Sequence, residues 1–350
     1  MLQELGNEDL SLLWVGGQGG MEADLVNRAG LRMAALPAAG LHGVGLRALP
    51  GNTWLLGRGW LAARRVLAEF RPDVLFFTGG FVAAPVALAG RRIPSLAFVP
   101  DIKPGFTLRL IARFADVIAV VAAESRQFFR RAERVQVTGY PVRNEIRAWS
   151  REAAQDHFGL SPEAPTLLVF GGSKGARSIN EALIQALPVL LSALQIIHIT
   201  GEGNWEAARA AQSLLTADLA ARYHAFPYLH DDMGAAFAAA DLALCRAGAS
   251  TLGELPLFGL PAVLVPIPLA GHLQSDNAAY LEKQGAALVL KDQSMHSELV
   301  KTVTELVKDK ARLSKMSQAM SFLAAPDAAK RIAVLLRQLG DRRLEKGARA

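Results

Sequence analysis

The stretch Thr166-Leu167-Leu168-Val169-Phe170-Gly171-Gly172-Ser173-Lys174-Gly175-Ala176-Arg177 decides the reading of this chain. A short apolar run passes straight into glycines and then into a segment of helical periodicity. This is the pattern of a buried parallel strand, a tight turn and a helix packed back on the sheet. Glycine lets a ligand approach the backbone, and a helix start presents N–H groups and a positive dipole end to a diphosphate. Ser173 can add a hydroxyl donor. A glycine turn of this kind also serves βα packing with no ligand; Lys174 and Arg177 tilt it towards phosphate. No Gly-Lys-Ser/Thr follows at Walker spacing, so it is not a P-loop.

Outward from this stretch, apolar runs alternate with helical patterns along most of the chain. Before it, strands are expected at Leu10–Val15, Asp73–Phe77, Ser95–Phe98, Val117–Val121 and Val135–Thr138. After it they are expected at Gln195–Ile199, Leu242–Cys245, Ala262–Val265 and Ala287–Leu290, with helices such as Ala176–Leu194 and Asp231–Ala240. The alternation predicts an α/β chain of two doubly wound domains, with a cleft between them where ligands meet strand carboxyl ends. The boundary is placed near Arg143: residues 1–143 form one domain, 144–325 the second, and 326–350 an amphipathic tail packing back on the first.

A second small-residue turn, Cys245-Arg246-Ala247-Gly248-Ala249-Ser250-Thr251, leads into Leu252, Gly253 and Glu254. Glu254, one turn into the helix, can accept two ribose hydroxyls, or it can cap the helix behind Ser250 or Thr251. Beyond the next strand come His272, Gln274 and Asn277. Gln274 suits sugar hydroxyls or a helix cap, and His272 has no second ligand at metal spacing. No Asp-x-Asp pair is present, so helix dipoles and basic side chains would stabilise the leaving group instead of a metal. In the first half, Gly79-Gly80-Phe81 and Asp101 to Gly105 end strands and suit an acceptor side. Arg143 stands at the hinge, in reach of a phosphate or of a carboxylate.

Composition narrows the class. Residues 1–143 hold 17 Lys/Arg against 11 Asp/Glu, while residues 144–350 hold 21 of each, so the net charge of +6 sits in the first half. No aromatic–basic stripe or nucleic-acid motif accompanies it, which leaves a membrane surface or a phosphorylated ligand. Trp54, Leu55, Leu56, Trp60 and Leu61 beside Arg58, Arg64 and Arg65 suit an anionic leaflet. The greasiest run, Leu255 to Ala270, carries Pro256, Pro261, Pro266 and Pro268 and is too broken to span a bilayer. No signal peptide is expected. Cys245 is the single cysteine, which excludes an internal disulfide and fits a reducing compartment.

Taken together, Met21-Glu22-Ala23-Asp24-Leu25, Gly79-Gly80-Phe81-Val82, Tyr140-Pro141-Val142-Arg143, Gly171 to Arg177, Asp231-Asp232-Met233, Cys245-Arg246-Ala247-Gly248 and Gln274 with Asn277-Ala278 resemble the MurG family. These are peptidoglycan N-acetylglucosaminyltransferases that make lipid II from lipid I. The resemblance runs along nearly the whole chain and implies a GT-B architecture, with UDP-GlcNAc as donor, lipid I as acceptor and no cofactor. It implies a peripheral enzyme on the cytoplasmic face of the cell membrane, bound to its anionic inner leaflet, with no nucleic-acid partner. Carried over, Ser173 and Arg143 contact the donor diphosphate, with Gly171, Gly172 and Gly175 as the phosphate loop. His230 stands where the family makes a backbone contact to uracil. Ala249, Ser250, Thr251, Leu252, Gly253 and Glu254 wrap ribose and phosphate, and Gln274 bonds the GlcNAc hydroxyls. Asp101 replaces the family's usual asparagine at an acceptor-side or sugar contact, and Tyr140 the usual asparagine before Pro-Val-Arg.

The family's opening strand and its Gly-Gly-Thr-Gly-Gly-His loop, with the histidine assigned as general base, would lie upstream of Met1. The 350 residues are therefore expected to turn over poorly, with a marginally stable first domain. Two other functions fit the same scaffold: a related glycolipid glycosyltransferase, and a UDP-sugar-binding relative without turnover.

Overall fold

A computed structural model describes residues 2–5, 10–19, 22–37, 49–172, 175–268 and 273–348. The chain divides into two compact units, Met1–Gly139 with Asp327–Ala350, and Tyr140–Pro326. The division falls at Gly139, just before the Arg143 boundary expected from the sequence. The reason is local packing: a Cβ at Gly253 would lie 2.8 Å from the Cβ of Tyr140 and 2.9 Å from Val142 Cγ2. Tyr140 and Val142 thus nest on a glycine of the second unit and go with it.

In the first unit β1 (Leu13–Gly17) pairs in parallel with β2 (Arg32–Leu36). A separate parallel sheet holds β3 (Leu75–Phe77), β4 (Ser95–Val99), β5 (Val117–Val120) and β6 (Val135–Val137), in that order. Leu36 and Val15 nevertheless share a core with Leu75, Phe77, Val99 and Ile118, so burial unites what the hydrogen bonds do not. The first strand begins three residues later than the apolar run suggested, and β2 was not expected at all. The tail, expected over residues 326–350, folds as a helix at Ala328–Ala348. It belongs to this unit: Arg337 donates to the Leu5 carbonyl at 2.7 Å and Arg343 to the Pro72 carbonyl at 2.7 Å.

The second unit is a six-stranded parallel sheet of β7 (Thr166–Phe170), β8 (Gln195–Ile199), β9 (Tyr223–Phe226), β10 (Leu242–Cys245), β11 (Ala262–Leu264) and β12 (Ala287–Val289). Their order across the sheet is β12-β11-β10-β7-β8-β9. β7, β8, β10 and β11 are buried along their whole lengths, as helices on both faces require. The helix expected from Ala176 to Leu194 spans Arg177–Leu190, and the one expected at Asp231–Ala240 spans Met233–Ala239.

One device recurs in both units. Asp241, just ahead of β10, accepts the Thr166 N–H at 2.8 Å and returns its own N–H to the Thr166 carbonyl at 2.9 Å. Asp116, just ahead of β5, does the same to Ser95 at 2.9 and 3.0 Å. A carboxylate thereby closes the amino end of each of these strand pairs.

Candidate functional site

The chain winds from β7 through β8 to β9 in one direction, returns to β10 on the other side of β7, and continues outward to β12. The order therefore reverses between β7 and β10, the place where open parallel sheets bind ligands at their carboxyl ends. Both small-residue turns read from the sequence leave the sheet at this point.

After β7, a Cβ on Gly171 would lie 2.1 Å from the Ala176 nitrogen, so only glycine closes the turn. Gly172 and Gly175 take φ of 86° and 73°, the left-handed region. The Gly175 N–H donates to the Gly172 carbonyl at 2.9 Å, and the helix begins at Arg177. Arg177 pairs with Glu181 at 2.7 Å on the exposed face. Ser173 and Lys174 lie outside the described residues, as does His272.

After β10, the turn is internally bonded. The Thr251 hydroxyl donates to the Gly248 carbonyl at 2.6 Å, and the Gly253 and Glu254 N–H groups bond to the Ser250 carbonyl at 3.0 and 2.8 Å. Thr251 and Leu252 are buried, and Gly253 is the seat of Tyr140 and Val142. These three are packing residues, and their backbone N–H groups donate to the Gly248, Ala249 and Ser250 carbonyls within the turn. Ala249, Ser250 and Glu254 keep partial exposure.

Glu254 combines burial with two polar neighbours. Burial raises its carboxyl above the ordinary range, while the Ser250 hydroxyl and the Arg143 guanidinium pull it back. Arg143 is exposed, yet it is delivered to this carboxylate by the nesting of Tyr140 and Val142 on Gly253. The buried Cys245 thiol is pushed up, first by desolvation and then by the Glu254 charge. Glu254 is thus a semi-buried acceptor at the switch point rather than a surface residue.

Arg246 is engaged on three sides. Its guanidinium donates to the Val265 carbonyl at 3.0 Å and the Ser178 hydroxyl at 2.8 Å, and pairs with Asp292, both ions being largely buried. It ties the β10 turn to the ends of β11 and β12 and to the first turn of the helix after β7. Arg246 thus acts as a brace of the scaffold. Neither Asp292 nor Ser178 stood out in the sequence.

The remaining residues spread along the carboxyl edge. Gln274 opens the helix Gln274–Lys283 after β11, and its carbonyl oxygen accepts from the Ile267 N–H at 3.1 Å. Asn277 is fully buried and donates to the Ala247 carbonyl at 3.1 Å, bracing the β10 turn. His230 follows β9, two strands from β7, exposed beside Tyr228 at a ring distance of 4.7 Å. Asp101 follows β4 in the first unit, where Gly79 and Gly80, with φ of 113° and 85°, follow β3. Among the described residues no cluster of three His, Cys, Asp or Glu is arranged to hold a metal.

The chain is similar to known proteins along most of its length. Residues 1–120 match the glycosyltransferase family 28 N-terminal domain and residues 166–332 its C-terminal domain. The UDP-N-acetylglucosamine–N-acetylmuramyl-(pentapeptide) pyrophosphoryl-undecaprenol N-acetylglucosamine transferase of Roseiflexus sp. strain RS-1 is 42% identical, over 95% of this chain and 84% of its own length. The enzyme of the same name from Halothermothrix orenii is 38% identical, over 90% of this chain and 87% of its own. Among solved structures, MurG of Acinetobacter baumannii superposes with a TM-score of 0.73 at 26% identity, covering 93% of this chain and 90% of that one. The two parallel α/β units are those of a GT-B fold, and the chain belongs to glycosyltransferase family 28, in its MurG branch.

Proposed function

We propose that this protein transfers N-acetylglucosamine from UDP-GlcNAc to the C4 hydroxyl of the muramoyl sugar of lipid I, with inversion, giving lipid II. The observation that carries the donor half is the meeting of two helix-starting turns at the β7/β10 reversal, with Glu254 and Arg143 beside them. Helix starts after Gly175 and Ser250 offset the charge of departing UDP, and Arg143 adds a cation. Glu254 accepts from ribose, Gln274 serves the sugar, and the loop bearing His230 serves the base. Asp101, with the glycines after β3, belongs to the acceptor side. The attacking hydroxyl needs a base, and none of the described residues is assigned that role.

The first unit is the membrane-facing one in this reading. Trp54 and Leu61 on the helix Leu49–Phe70 are more than half exposed, as are Phe81 and Leu88 on and beside the helix Ala83–Ala89. Trp60, Arg64, Leu88, Arg91 and Arg92 line one open groove. Arg58 and Arg64 lie over the rings of Trp54 and Trp60 at 4.8 and 5.1 Å, so each tryptophan carries its own cation. Leu55, Leu56 and Trp60 are only partly exposed and contribute less to such a surface. No helix of the described residues is long and apolar enough to cross a membrane, so attachment would be peripheral to an anionic leaflet.

Prolonged incubation with radiolabelled UDP-GlcNAc and a soluble lipid I analogue tests the reaction. A labelled disaccharide–diphosphate product is expected. Label recovered only as free sugar, or transfer to a diacylglycerol acceptor in its place, would contradict it.

A further inference from the structure

His198 is the penultimate residue of β8, its side chain wholly buried, in a strand that is otherwise apolar after Gln195. It joins a chain of hydrogen bonds that ends under the glycine loop. The Tyr223 hydroxyl is 2.7 Å from His198 Nδ1, His198 Nε2 is 3.1 Å from Asn180 Oδ1, and Asn180 Nδ2 is 2.7 Å from the Thr200 carbonyl. Chemistry orients every link. A peptide carbonyl only accepts, so the Asn180 amide nitrogen faces Thr200 and its oxygen faces His198. Nε2 must then carry the proton. Burial holds the histidine at a pKa of about 3, so the ring is neutral, Nδ1 is a bare acceptor, and the Tyr223 O–H donates to it.

The end of the chain is the part that matters. The Thr200 carbonyl is the floor of the glycine loop: a Cβ at Gly175 would lie 2.3 Å from that oxygen. Asn204 Nδ2 reaches the same oxygen at 3.4 Å. Asn180 itself stands in the first turn of the helix Arg177–Leu190, its N–H bonded to the Ala176 carbonyl at 2.9 Å. The Asn180 side chain therefore ties the carbonyl beneath Gly175 to the first turn of the helix that would face the diphosphate.

We propose that Asn180, backed by His198 and Tyr223, is a positioning residue for the diphosphate half of the donor site. The proposal rests on the donor reading given above. Its signature is a loss of affinity for UDP that uridine, which lacks the diphosphate, does not share.

The test is calorimetric titration of the full chain with UDP and with uridine, and its readout is the ratio of the two affinities. Loss of fold lowers both affinities together and leaves that ratio unmoved. The wild-type protein is expected to prefer UDP, and Asn180→Ala to reduce the preference about 5- to 10-fold, the worth of one hydrogen bond. His198→Leu should act in the same direction. His198→Gln, which keeps a donor for Asn180 and an acceptor for Tyr223, should restore most of the ratio. If Asn180→Ala does not fold, Tyr223→Phe provides the comparison, with a reduction of about 3-fold. An unchanged ratio in every folded variant, beside a wild-type preference for UDP, overturns the proposal alone. A wild-type protein that binds uridine as well as UDP overturns the donor reading, and the proposal with it.

Discussion

Phe170 and Cys245 are partners in register across β7 and β10, and each is the last residue of its strand. The turns that follow, Gly171 to Ala176 and Arg246 to Ser250, therefore start side by side at the one place where the sheet order reverses. The donor proposal grows from that adjacency: the helices at Arg177 and Thr251 follow these two neighbouring turns, and Glu254 stands in the first turn of the second.

Glu254→Ala is expected to weaken UDP by about 1.5–3 kcal/mol, the value of hydrogen bonds to a charged acceptor. Titration calorimetry measures it, and uridine should lose as much, because the ribose is common to both. Burial raises the Glu254 pKa, so the carboxylate takes up its proton at a pH above the usual carboxylate range as the solution is acidified. Wild-type affinity should accordingly fall as pH decreases through that region, while the affinity remaining in Glu254→Gln should be nearly flat there.

The glycines separate by what surrounds them. Gly175→Ala drives a methyl to 2.3 Å from the Thr200 carbonyl at a φ of 73°, and Gly171→Ala puts one 2.1 Å from the Ala176 nitrogen. Both should be destabilised and should lose diphosphate affinity. Gly172→Ala meets nothing within 4 Å among the described residues, and its φ of 86° carries a cost of about 1–2 kcal/mol. Gly248→Ala has open space and an ordinary φ, and should leave the unfolding midpoint almost unmoved. Chemical denaturation ranks all four, and a Gly248 variant as unstable as Gly175→Ala would refute the ordering.

Asp292→Asn leaves the Arg246 guanidinium largely buried without its counter-charge. The side chains of the pair are 13% and 16% exposed, so the loss should be on the order of 3 kcal/mol. Urea unfolding of the variant gives the number. A loss below about 0.5 kcal/mol would mean that the pair behaves as a surface contact.

Flotation with vesicles tests the first unit. Binding should require anionic lipid and weaken with salt, and Arg91→Glu with Arg92→Glu should reduce it by well over 5-fold, at about 1 kcal/mol for each arginine lost. Equal binding of the wild-type protein to neutral vesicles would remove the electrostatic part of the argument.

The strands that stood out in the sequence are those buried on both faces, because a continuous apolar run such as Leu167 to Phe170 has no competing explanation. Arg32–Leu36 and Tyr223–Phe226 escaped notice because they lie at the edges of their sheets and mix exposed or half-exposed residues with a single buried one. The two turns were readable from their glycines and helix starts. The supports beneath them were not, because Asn180, His198 and Asp292 act through partners 18 to 46 residues away and carry no local pattern. Arg246 sat unremarked inside the second turn, and its guanidinium bonds to Val265, Ser178 and Asp292 tie that turn to distant strands.

A crystal structure of the chain with UDP bound tests the central claim most directly. The account predicts the diphosphate within hydrogen-bond distance of the backbone N–H groups that open the helix at Arg177, with the ribose hydroxyls on the Glu254 carboxylate. A diphosphate seated away from both helix starts, or a ribose turned away from Glu254, would contradict it.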